Sequence, residues 1–182
     1  MDRTVITSAK RIVIKIGSSS LTGSAGSNLD ANAVEKIVTV IASLKARGAE
    51  VALVSSGAIA AGLAPLKLSS RPKDLATQQA AASVGQGLLI ARYNQAFSEH
   101  SILSSQVLLT TEDVVRRSHY QNAHQTLSKL LSLGVVPIIN ENDTVGTQEI
   151  RFGDNDRLAA LVALLISADL LVLISDVDAL YD

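Results

Sequence analysis

Short apolar runs alternate along this chain with longer segments in which apolar residues recur every three or four positions. The short runs are typical of buried strands, and they span residues 12–16, 51–55, 102–109, 135–139 and 170–174. The longer segments predict helices that span residues 31–47, 75–99, 111–133 and 158–166. A polar stretch at residues 144–153, interrupted by a glycine, predicts a hairpin or lid.

This order of elements predicts an α/β fold. Strands alternate with helices, and no internal repeat is visible. Aromatic residues make up only 3% of the chain, so the core must be built from Ala, Val, Leu and Ile. That mixture suits parallel strands that are covered on both faces. We therefore predict a doubly wound, mostly parallel sheet with helices on both faces, preceded by a tail of residues 1–10.

Composition and charge exclude several classes of protein. The chain has 182 residues, of which 16 are basic and 17 acidic, and its net charge of −1 does not favour nucleic acid or an anionic membrane. The absence of cysteine excludes disulfides and thiolate chemistry. The start of the chain is too polar for a signal peptide, and no uncharged apolar run reaches the roughly 18 residues of a membrane span. We expect a cytoplasmic globular protein without nucleic-acid or membrane partners.

Four of the five predicted strands end in small or polar residues. These are Gly17 to Ser20, Ser55 to Gly57, Asn140 to Asp143, and Ser175 with Asp176. The carboxyl ends of parallel strands meet at one edge of a sheet, where open α/β proteins bind their ligands. The sequence therefore predicts a binding site at that edge, with Lys15 and Asp143 both near it.

Lys15 is a charged residue within an apolar strand, and two interpretations of it stay open. It is either an edge lysine whose ammonium reaches water, or a cation that faces phosphate beside Gly17 and the serines that follow. The spacing of a Walker A loop is absent. Ser56 and Gly57 are equally open, either as a tight turn or as the start of a helix that binds an anion.

Residues 140–143 and 154–156 form two clusters of carboxylates and amides, which the predicted hairpin would bring together. Four acids in one place repel each other unless a cation lies among them. Helix capping by Asp154 accounts for one of these acids but not for all four. The two clusters are therefore the strongest internal signal for a site that binds a charged ligand.

Six short motifs carry a resemblance to a known family. They are IKIGSS from Ile14, SGAIAAG from Ser56, ASVGQ from Ala82, INEND from Ile139, FGDND from Phe152 and LISD from Leu173. In this order, from about Arg11 to the last residue, they resemble the glutamate 5-kinases of the amino acid kinase superfamily. The resemblance implies the amino acid kinase fold in truncated form. Residues 11–182 would be the glutamate-binding part of the kinase domain, with the nucleotide-binding remainder absent.

The resemblance also implies an activity, the ATP-dependent phosphorylation of the L-glutamate side-chain carboxylate to L-glutamyl 5-phosphate, which is the first step of proline biosynthesis. ATP and Mg²⁺ are the implied cofactors, and family members are usually homo-oligomers inhibited by proline. No residue is implied as a metal ligand. The implied site residues are Lys15 and Asp156 for catalysis, Ser56, Asn140, Asp143, Asp154 and Asn155 for glutamate, and Lys15, Gly17, Ser175 and Asp176 for ATP.

Three residues depart from the family pattern. Gln78, Ser175 and Ala179 stand where the family commonly has Lys, Thr and Gly. The change at Ser175 is mild, and the change at Ala179 would stiffen a loop. The change at Gln78 removes a positive charge near the expected site.

The residues also fit this chemistry without reference to the family. A glutamate side chain has a pKa of about 4.3, so it is already a nucleophile at neutral pH and needs no general base. It needs positioning and cations, which Lys15 and Mg²⁺ would supply. The acid clusters would pair with a substrate ammonium, which disfavours an N-acetylated substrate. A nucleoside monophosphate would require arginines, of which the motifs offer only Arg151 and Arg157. The alternative is a truncated, non-catalytic module for amino-acid binding or assembly.

Overall fold

Five strands and the helices that connect them make up the computed structural model of this chain, which describes residues 4–22, 29–146 and 155–175. The described elements follow one another in the order α1 (Thr4–Thr7), β1 (Arg11–Ile16), α2 (Ser18–Leu21), α3 (Ala31–Ala46), β2 (Glu50–Ser55), α4 (Ala58–Leu63), α5 (Leu75–Glu99), β3 (Ser104–Leu109), α6 (Thr111–Val115), α7 (Arg117–Ser132), β4 (Val136–Glu141), α8 (Asn155–Leu165) and β5 (Leu170–Ile174). Strands and helices alternate, as the apolar pattern predicts.

The strands form one sheet in the order β3-β4-β2-β1-β5, and every neighbouring pair is parallel. In this register Ile16 lies opposite both Ser55 and Ile174, and Val54 lies opposite Ile139. The strands therefore end at nearly the same level, and the residues that follow them meet at one edge, called the carboxyl edge below. The prediction of a parallel sheet is confirmed.

Helices cover both faces of the sheet because successive strand residues point to opposite sides. On one face, Ile14 and Leu53 belong to a core cluster with side chains of α3 and α5. On the other face, Val13 and Val54 belong to a second cluster with side chains of α7 and α8. The fold is therefore doubly wound, as predicted, and the two cores hold the strand ends in register.

Helices α4 and α5 approach each other closely because glycines stand at their contact. A Cβ atom on Gly62 would overlap the carbonyl group of Ala81, and one on Gly85 would overlap the carbonyl group of Ala58. Both obstacles are backbone atoms, so a larger residue at either glycine would push the helices apart. This contact sets the position of Gln86, the residue after Gly85, relative to the sheet.

The segment predicted as one helix from residue 111 to residue 133 is two helices. Arg116 separates α6 from α7 in an extended conformation, with φ −69° and ψ 121°. Asp113 accepts hydrogen bonds from the backbone N–H and the hydroxyl of Thr110 and lies 2.8 Å from Nδ1 of His119. The backbone N–H of Asp113 donates in return to the Thr110 hydroxyl at 3.2 Å, so the two residues form a capping box at the start of α6.

Two regular elements extend further into the polar segments than the sequence predicts. Strand β4 continues two residues beyond Ile139, so Asn140 is part of the sheet. Helix α8 begins at Asn155 instead of Leu158. The predicted hairpin at residues 144–153 lies mostly outside the described residues. The predicted tail contains the short helix α1.

None of the helices in the described ranges is both long and apolar enough to cross a membrane.

Candidate active site

A cavity of about 300 Å³ opens at the carboxyl edge of the sheet. It lies beyond the ends of the three central strands, between the short helix α2, helix α4 and the start of α8. Its lining residues come from segments far apart in the sequence, and they are Ser18, Ser19, Thr22, Ser56, Gly57, Ala58, Ile59, Ala60, Leu63, Arg71, Asn140, Glu141, Asp143 and Asn155. The fold thus gathers several of the motifs around one space.

Lys15 does not line this cavity, but its ammonium group, held in an ion pair, lies close to Ser19, which does. Its side chain is only 10% exposed, and Nζ is 2.7 Å from Oδ1 of Asp156 in the first turn of α8. A lysine that reaches out to water would be far more exposed, so the edge-lysine interpretation is wrong. The Asp156 side chain is 58% exposed, and the pair is therefore accessible from solvent.

The backbone after Lys15 leaves room beside the ammonium group. A Cβ atom on Gly17 would lie 3.5 Å from Nζ of Lys15 and 3.7 Å from Oγ of Ser19. These are ordinary contact distances, so a methyl group would fill this space without a clash. Backbone amides, hydroxyls and a cation around such a space suit the oxygens of a phosphate group.

Ser175 follows β5 next to the same space. The carbonyl oxygen of Ile174 would lie 3.9 Å from a Cβ atom on Gly17, and Ser175 itself is exposed. Three further residues that the resemblance singles out, Asp154, Asp176 and Ala179, lie outside the described residues. The described residues implied in ATP binding therefore lie at the ends of two neighbouring strands.

A buried network of hydrogen bonds joins side chains at the floor of the cavity. Nδ2 of Asn155 donates to Oγ of Ser56 at 2.7 Å and to Oδ1 of Asn140 at 3.2 Å. Nδ2 of Asn140 donates in turn to Oε1 of Gln86 on α5, at 2.7 Å. Each of these four residues is at most 8% exposed. Three of the residues implied in glutamate binding therefore form one connected group.

Two atoms of this network have no hydrogen-bond partner among the described residues. They are Oδ1 of Asn155 and Nε2 of Gln86. A buried polar atom that stays unpaired costs about 1–3 kcal/mol, and most such atoms in folded proteins are paired. Because Asn155 lines the cavity, a ligand in the cavity can supply the donor that its oxygen lacks.

Ser55 ties this network to the hydrophobic core. Its Oγ lies 3.0 Å from the hydroxyl oxygen of Tyr93, a fully buried residue of α5. Burial raises the pKa of the Tyr93 phenol, so the hydroxyl group stays protonated at neutral pH. The contact holds the end of β2 against α5 immediately before Ser56.

Asp143 lies in the turn after β4, and it is a weaker acid than an ordinary aspartate. Burial raises the pKa of its carboxyl group to about 6, the negative charge of Glu141 adds to this rise, and the positive charge of Arg71 opposes it. All three residues line the cavity. A cationic group on a ligand would stabilise both carboxylates, as the clustering of acids in the sequence predicts.

The sequence motifs do not point to Arg71, the one basic residue among the described residues that line the cavity. It lies in the loop between α4 and α5, outside every motif. The available signal is the acid cluster itself, because clustered carboxylates favour a nearby cation. Of the two arginines beside the FGDND motif, Arg151 lies outside the described residues and Arg157 does not line the cavity.

Gln78, one of the departures from the family pattern, supports the loop that carries Arg71. Its Nε2 donates to the carbonyl oxygen of Pro72 at 2.9 Å. At the position where the resemblance leads us to expect lysine, Gln78 therefore stabilises the loop that carries Arg71.

Nearly the whole chain is similar to proteins of one known family. The profile of the Amino acid kinase family matches residues 10–182. A protein named glutamate 5-kinase from Salinispora arenicola is 66% identical over 176 residues, which cover 97% of this chain and 47% of that protein. One from Streptomyces coelicolor is 63% identical over 180 residues, which cover 99% and 48%. A third, from Clavibacter michiganensis, is 58% identical over 179 residues, which cover 98% and 67%.

The chain spans about half the length of the first two of these relatives. Their names agree with the resemblance that the six motifs carry, and the resemblance is confirmed. A parallel sheet wound on both faces, a lysine held at its carboxyl edge and a family profile that covers residues 10–182 lead to one conclusion, that this chain belongs to the amino acid kinase family.

Proposed function

We propose that the protein to which this chain corresponds transfers the γ-phosphoryl group of ATP to the side-chain carboxylate of L-glutamate. The product would be L-glutamyl 5-phosphate, in the first step of proline biosynthesis. One observation carries the proposal: the held ammonium of Lys15 lies beside a cavity that also presents Asp143, Asn155 and Arg71. The relatives named glutamate 5-kinase support the same reaction.

Phosphoryl transfer to a carboxylate needs no general base. The glutamate side chain, with an ordinary pKa of about 4.3, is ionised at neutral pH and attacks the γ-phosphorus directly. A bond forms between a carboxylate oxygen and phosphorus. The bond from phosphorus to the β–γ bridging oxygen breaks, and ADP leaves with that electron pair. Lys15 would stabilise the charge on the transferred group while Asp156 holds the ammonium in place.

The cavity offers a partner for each group of a free amino acid. Asp143 and Oδ1 of Asn155 can accept hydrogen bonds from the α-ammonium group. Arg71 can pair with the α-carboxylate, and the hydroxyl of Ser56 can donate to a carboxylate. An N-acetylated substrate would leave Asp143 without a cation, so the same charges select for the free amino acid.

ATP and Mg²⁺ are the proposed cofactors. Nowhere in the described part of the chain do three or more histidine, cysteine or acidic side chains converge to hold a metal ion. Mg²⁺ often binds through substrate phosphates and water with few protein ligands, and when bound it neutralises phosphate charge. We therefore propose that it enters with the nucleotide, whose phosphates would lie beside Gly17 and Lys15.

The remaining proposals depend on the family resemblance. Residues 11–182 would form the glutamate-binding part of a longer kinase domain. Asp154 would complete the glutamate side, and Ser175 with Asp176 the nucleotide side. The whole protein would act in the cytoplasm as a homo-oligomer inhibited by proline.

Trapping with hydroxylamine tests the reaction, because acyl phosphates react with it to form hydroxamates. A longer protein that contains this chain is incubated with ATP, Mg²⁺ and either L-glutamate, L-aspartate or N-acetyl-L-glutamate. We expect ATP-dependent hydroxamate from L-glutamate and little from the other two acceptors. Equal product from N-acetyl-L-glutamate would contradict the role of Asp143, and no product from any acceptor would contradict the kinase proposal.

A non-catalytic amino-acid-binding module is the second candidate, because the cavity lined by Asp143, Asn155 and Arg71 suits an amino acid whether or not a phosphoryl group is transferred. The trapping assay and a calorimetric titration with L-glutamate, both on the 182-residue chain, separate the two candidates. We expect weak binding and little turnover, since phosphoryl transfer needs both reactants held in line. Turnover by this chain at about 1 s⁻¹ or more would contradict that expectation. Binding without turnover in a longer protein would favour the module.

A further inference from the structure

One backbone N–H group determines the orientation of the buried amides at the carboxyl edge. The N–H of Glu141 can only donate, and it lies 2.9 Å from Oδ1 of Asn140, which must therefore be the oxygen of that amide. The other end of the Asn140 amide is then a nitrogen, and it donates to Oε1 of Gln86 at 2.7 Å. Asn155 likewise turns its nitrogen toward Oδ1 of Asn140, at 3.2 Å. Rotating any of these amides by half a turn would bring two donors or two acceptors together.

The same direction determines what the cavity offers to a ligand. Nδ2 of Asn155 donates to Oγ of Ser56 at 2.7 Å, so this hydroxyl accepts within the network and keeps its proton for a partner in the cavity. Oδ1 of Asn155 keeps its lone pairs and has no partner among the described residues. Because Ser56 and Asn155 both line the cavity, this hydroxyl donor and this buried amide acceptor lie next to each other in its wall.

We propose that Gln86 is a positioning residue that holds Asn140 in this orientation, and with it the pattern of donor and acceptor at Ser56 and Asn155. Gln86 is absent from the lining of the cavity and acts from α5, where its Oε1 is the acceptor that holds the Asn140 amide. The close contact of α5 with α4 at Gly85 brings it within reach. Its role rests on the proposed function, in which Ser56 donates to a carboxylate and Asn155 accepts from the ammonium group of the same amino acid.

Two substitutions separate positioning from packing. Gln86→Met keeps the length of the side chain but removes the acceptor, whereas Gln86→Glu keeps an oxygen at that place. Gln106 provides matched controls, because it lines a second cavity of about 270 Å³ together with Gln86 and Glu141 but is exposed and outside the network. Gln106→Met therefore shows the effect of losing a glutamine near Glu141 without touching the network. Gln106→Glu shows the effect of adding a carboxylate there.

The first measurement uses no ligand. In ¹⁵N–¹H spectra of the chain, we expect the side-chain amide signals of Asn140 and Asn155 to shift and to exchange faster with water in Gln86→Met. The same signals should change little in Gln86→Glu and in both Gln106 variants. Unchanged Asn155 signals in a folded Gln86→Met variant would overturn the proposal, whatever the ligand is.

The second measurement is a calorimetric titration with L-glutamate. Gln86→Met should weaken binding about tenfold or more, and Gln86→Glu and the Gln106 variants should stay within about threefold of the wild type. In a longer, active protein, Gln86→Met should raise KM for glutamate and leave KM for ATP unchanged. Equal weakening by Gln86→Met and Gln86→Glu would assign Gln86 to packing and overturn the proposal.

Two outcomes remain informative if these variants behave otherwise. Should Gln86→Met not fold, weaker binding by Gln86→Glu than by Gln106→Glu would overturn the proposal, and equal binding would support it. Should the wild-type protein not bind glutamate, the proposed function fails, while the amide signals still decide whether Gln86 orients Asn140 and Asn155.

Discussion

The two edges of the sheet use charge in opposite ways. At the amino edge, Arg11 forms an ion pair with Glu50 at 2.7 Å and donates to the carbonyl oxygen of Ile166 at 2.7 Å. The Asp169 carboxylate accepts the backbone N–H groups of Lys10 and Arg11, each at 2.8 Å, and these bonds lower its pKa. Each of these charged groups has its partner within the chain, so the charges at the amino edge are satisfied by the fold itself.

At the carboxyl edge, the polar groups are only partly satisfied. Burial and a neighbouring carboxylate raise the pKa of Asp143 to about 6. Oδ1 of Asn155 lacks a partner among the described residues, and the carboxylate that holds Lys15 is largely open to solvent. A closed arrangement stabilises the fold, whereas an open one reduces stability and keeps capacity to bind a ligand. The comparison therefore favours the carboxyl edge as the binding site.

Lys15→Ala should give the largest effect. In a longer protein with measurable activity, we expect kcat to fall about a hundredfold or more, because the cation opposite the transferred phosphoryl group is lost. KM for glutamate should change by less than about threefold, since Asp143, Asn155 and Arg71 stay in place. Steady-state kinetics with both substrates varied provide the test, and circular dichroism confirms folding. A kcat within about threefold of the wild type would show that the role assigned to Lys15 is wrong.

Asp143→Ala and Asn155→Ala should each raise KM for glutamate. The loss of a partner for a desolvated ammonium costs about 2–5 kcal/mol, which corresponds to an increase of about thirtyfold or more. KM for ATP should stay close to its wild-type value in the same kinetic series. A rise in KM for ATP instead would reassign these residues to the nucleotide or its metal ion.

The affinity for glutamate should rise with pH. Only the ionised Asp143 attracts an ammonium group, and the pKa of this residue is about 6. The dissociation constant should therefore fall by up to about tenfold per pH unit below that value and level off above it. Calorimetric titrations from about pH 5 to about pH 7.5 measure this, and Asp143→Asn should remove the dependence. An unchanged affinity across this range in the wild type would exclude Asp143 as the ammonium partner.

The same carboxyl group should affect stability in the opposite direction. Its pKa in the folded state is raised from 3.8 to about 6, so the folded chain holds its proton longer than the unfolded chain does. The contribution of Asp143 to the free energy of unfolding should thus decrease as the pH rises from about 4 to about 6. Urea denaturation of the wild type and of Asp143→Asn across this range isolates that contribution. Identical pH dependence in the two proteins would contradict the raised pKa.

Arg11→Met should give the smallest effect, and on stability alone. The Arg11 and Glu50 side chains are 29% and 33% exposed, so solvent screens their attraction. We expect a loss of about 1 kcal/mol and a fall in melting temperature of about 2–4 °C. kcat and both KM values should match the wild type. A variant that lost activity while its melting temperature stayed unchanged would contradict the assignment of the amino edge to stability alone.

Elements with strong local signals were predictable with their bounds. Helix α5 and strand β5 begin and end where the apolar pattern predicts. Asp30, whose residue type favours an N-cap, caps α3 with its side chain accepting the N–H of Asn32 at 2.9 Å. The break at Arg116 and the early start of α8 were not predictable in the same way. They coincide with contacts made by Asp113 and by Asn155. The periodicity of apolar residues does not indicate such polar contacts.

By itself, the sequence determined the order of strands and helices, the parallel sheet and the edge where the polar strand ends meet. These features depend on short-range periodicity and on the general geometry of parallel sheets, so local patterns are sufficient for them. The tertiary structure alone decided which polar groups touch. Asn140 meets Gln86 across 54 residues of sequence and Asn155 meets Ser56 across 99, and Arg71 lines the cavity from a loop outside every motif. Such contacts form only when strand register and the close approach of α4 to α5 bring distant side chains within hydrogen-bond range, and no local pattern encodes that distance.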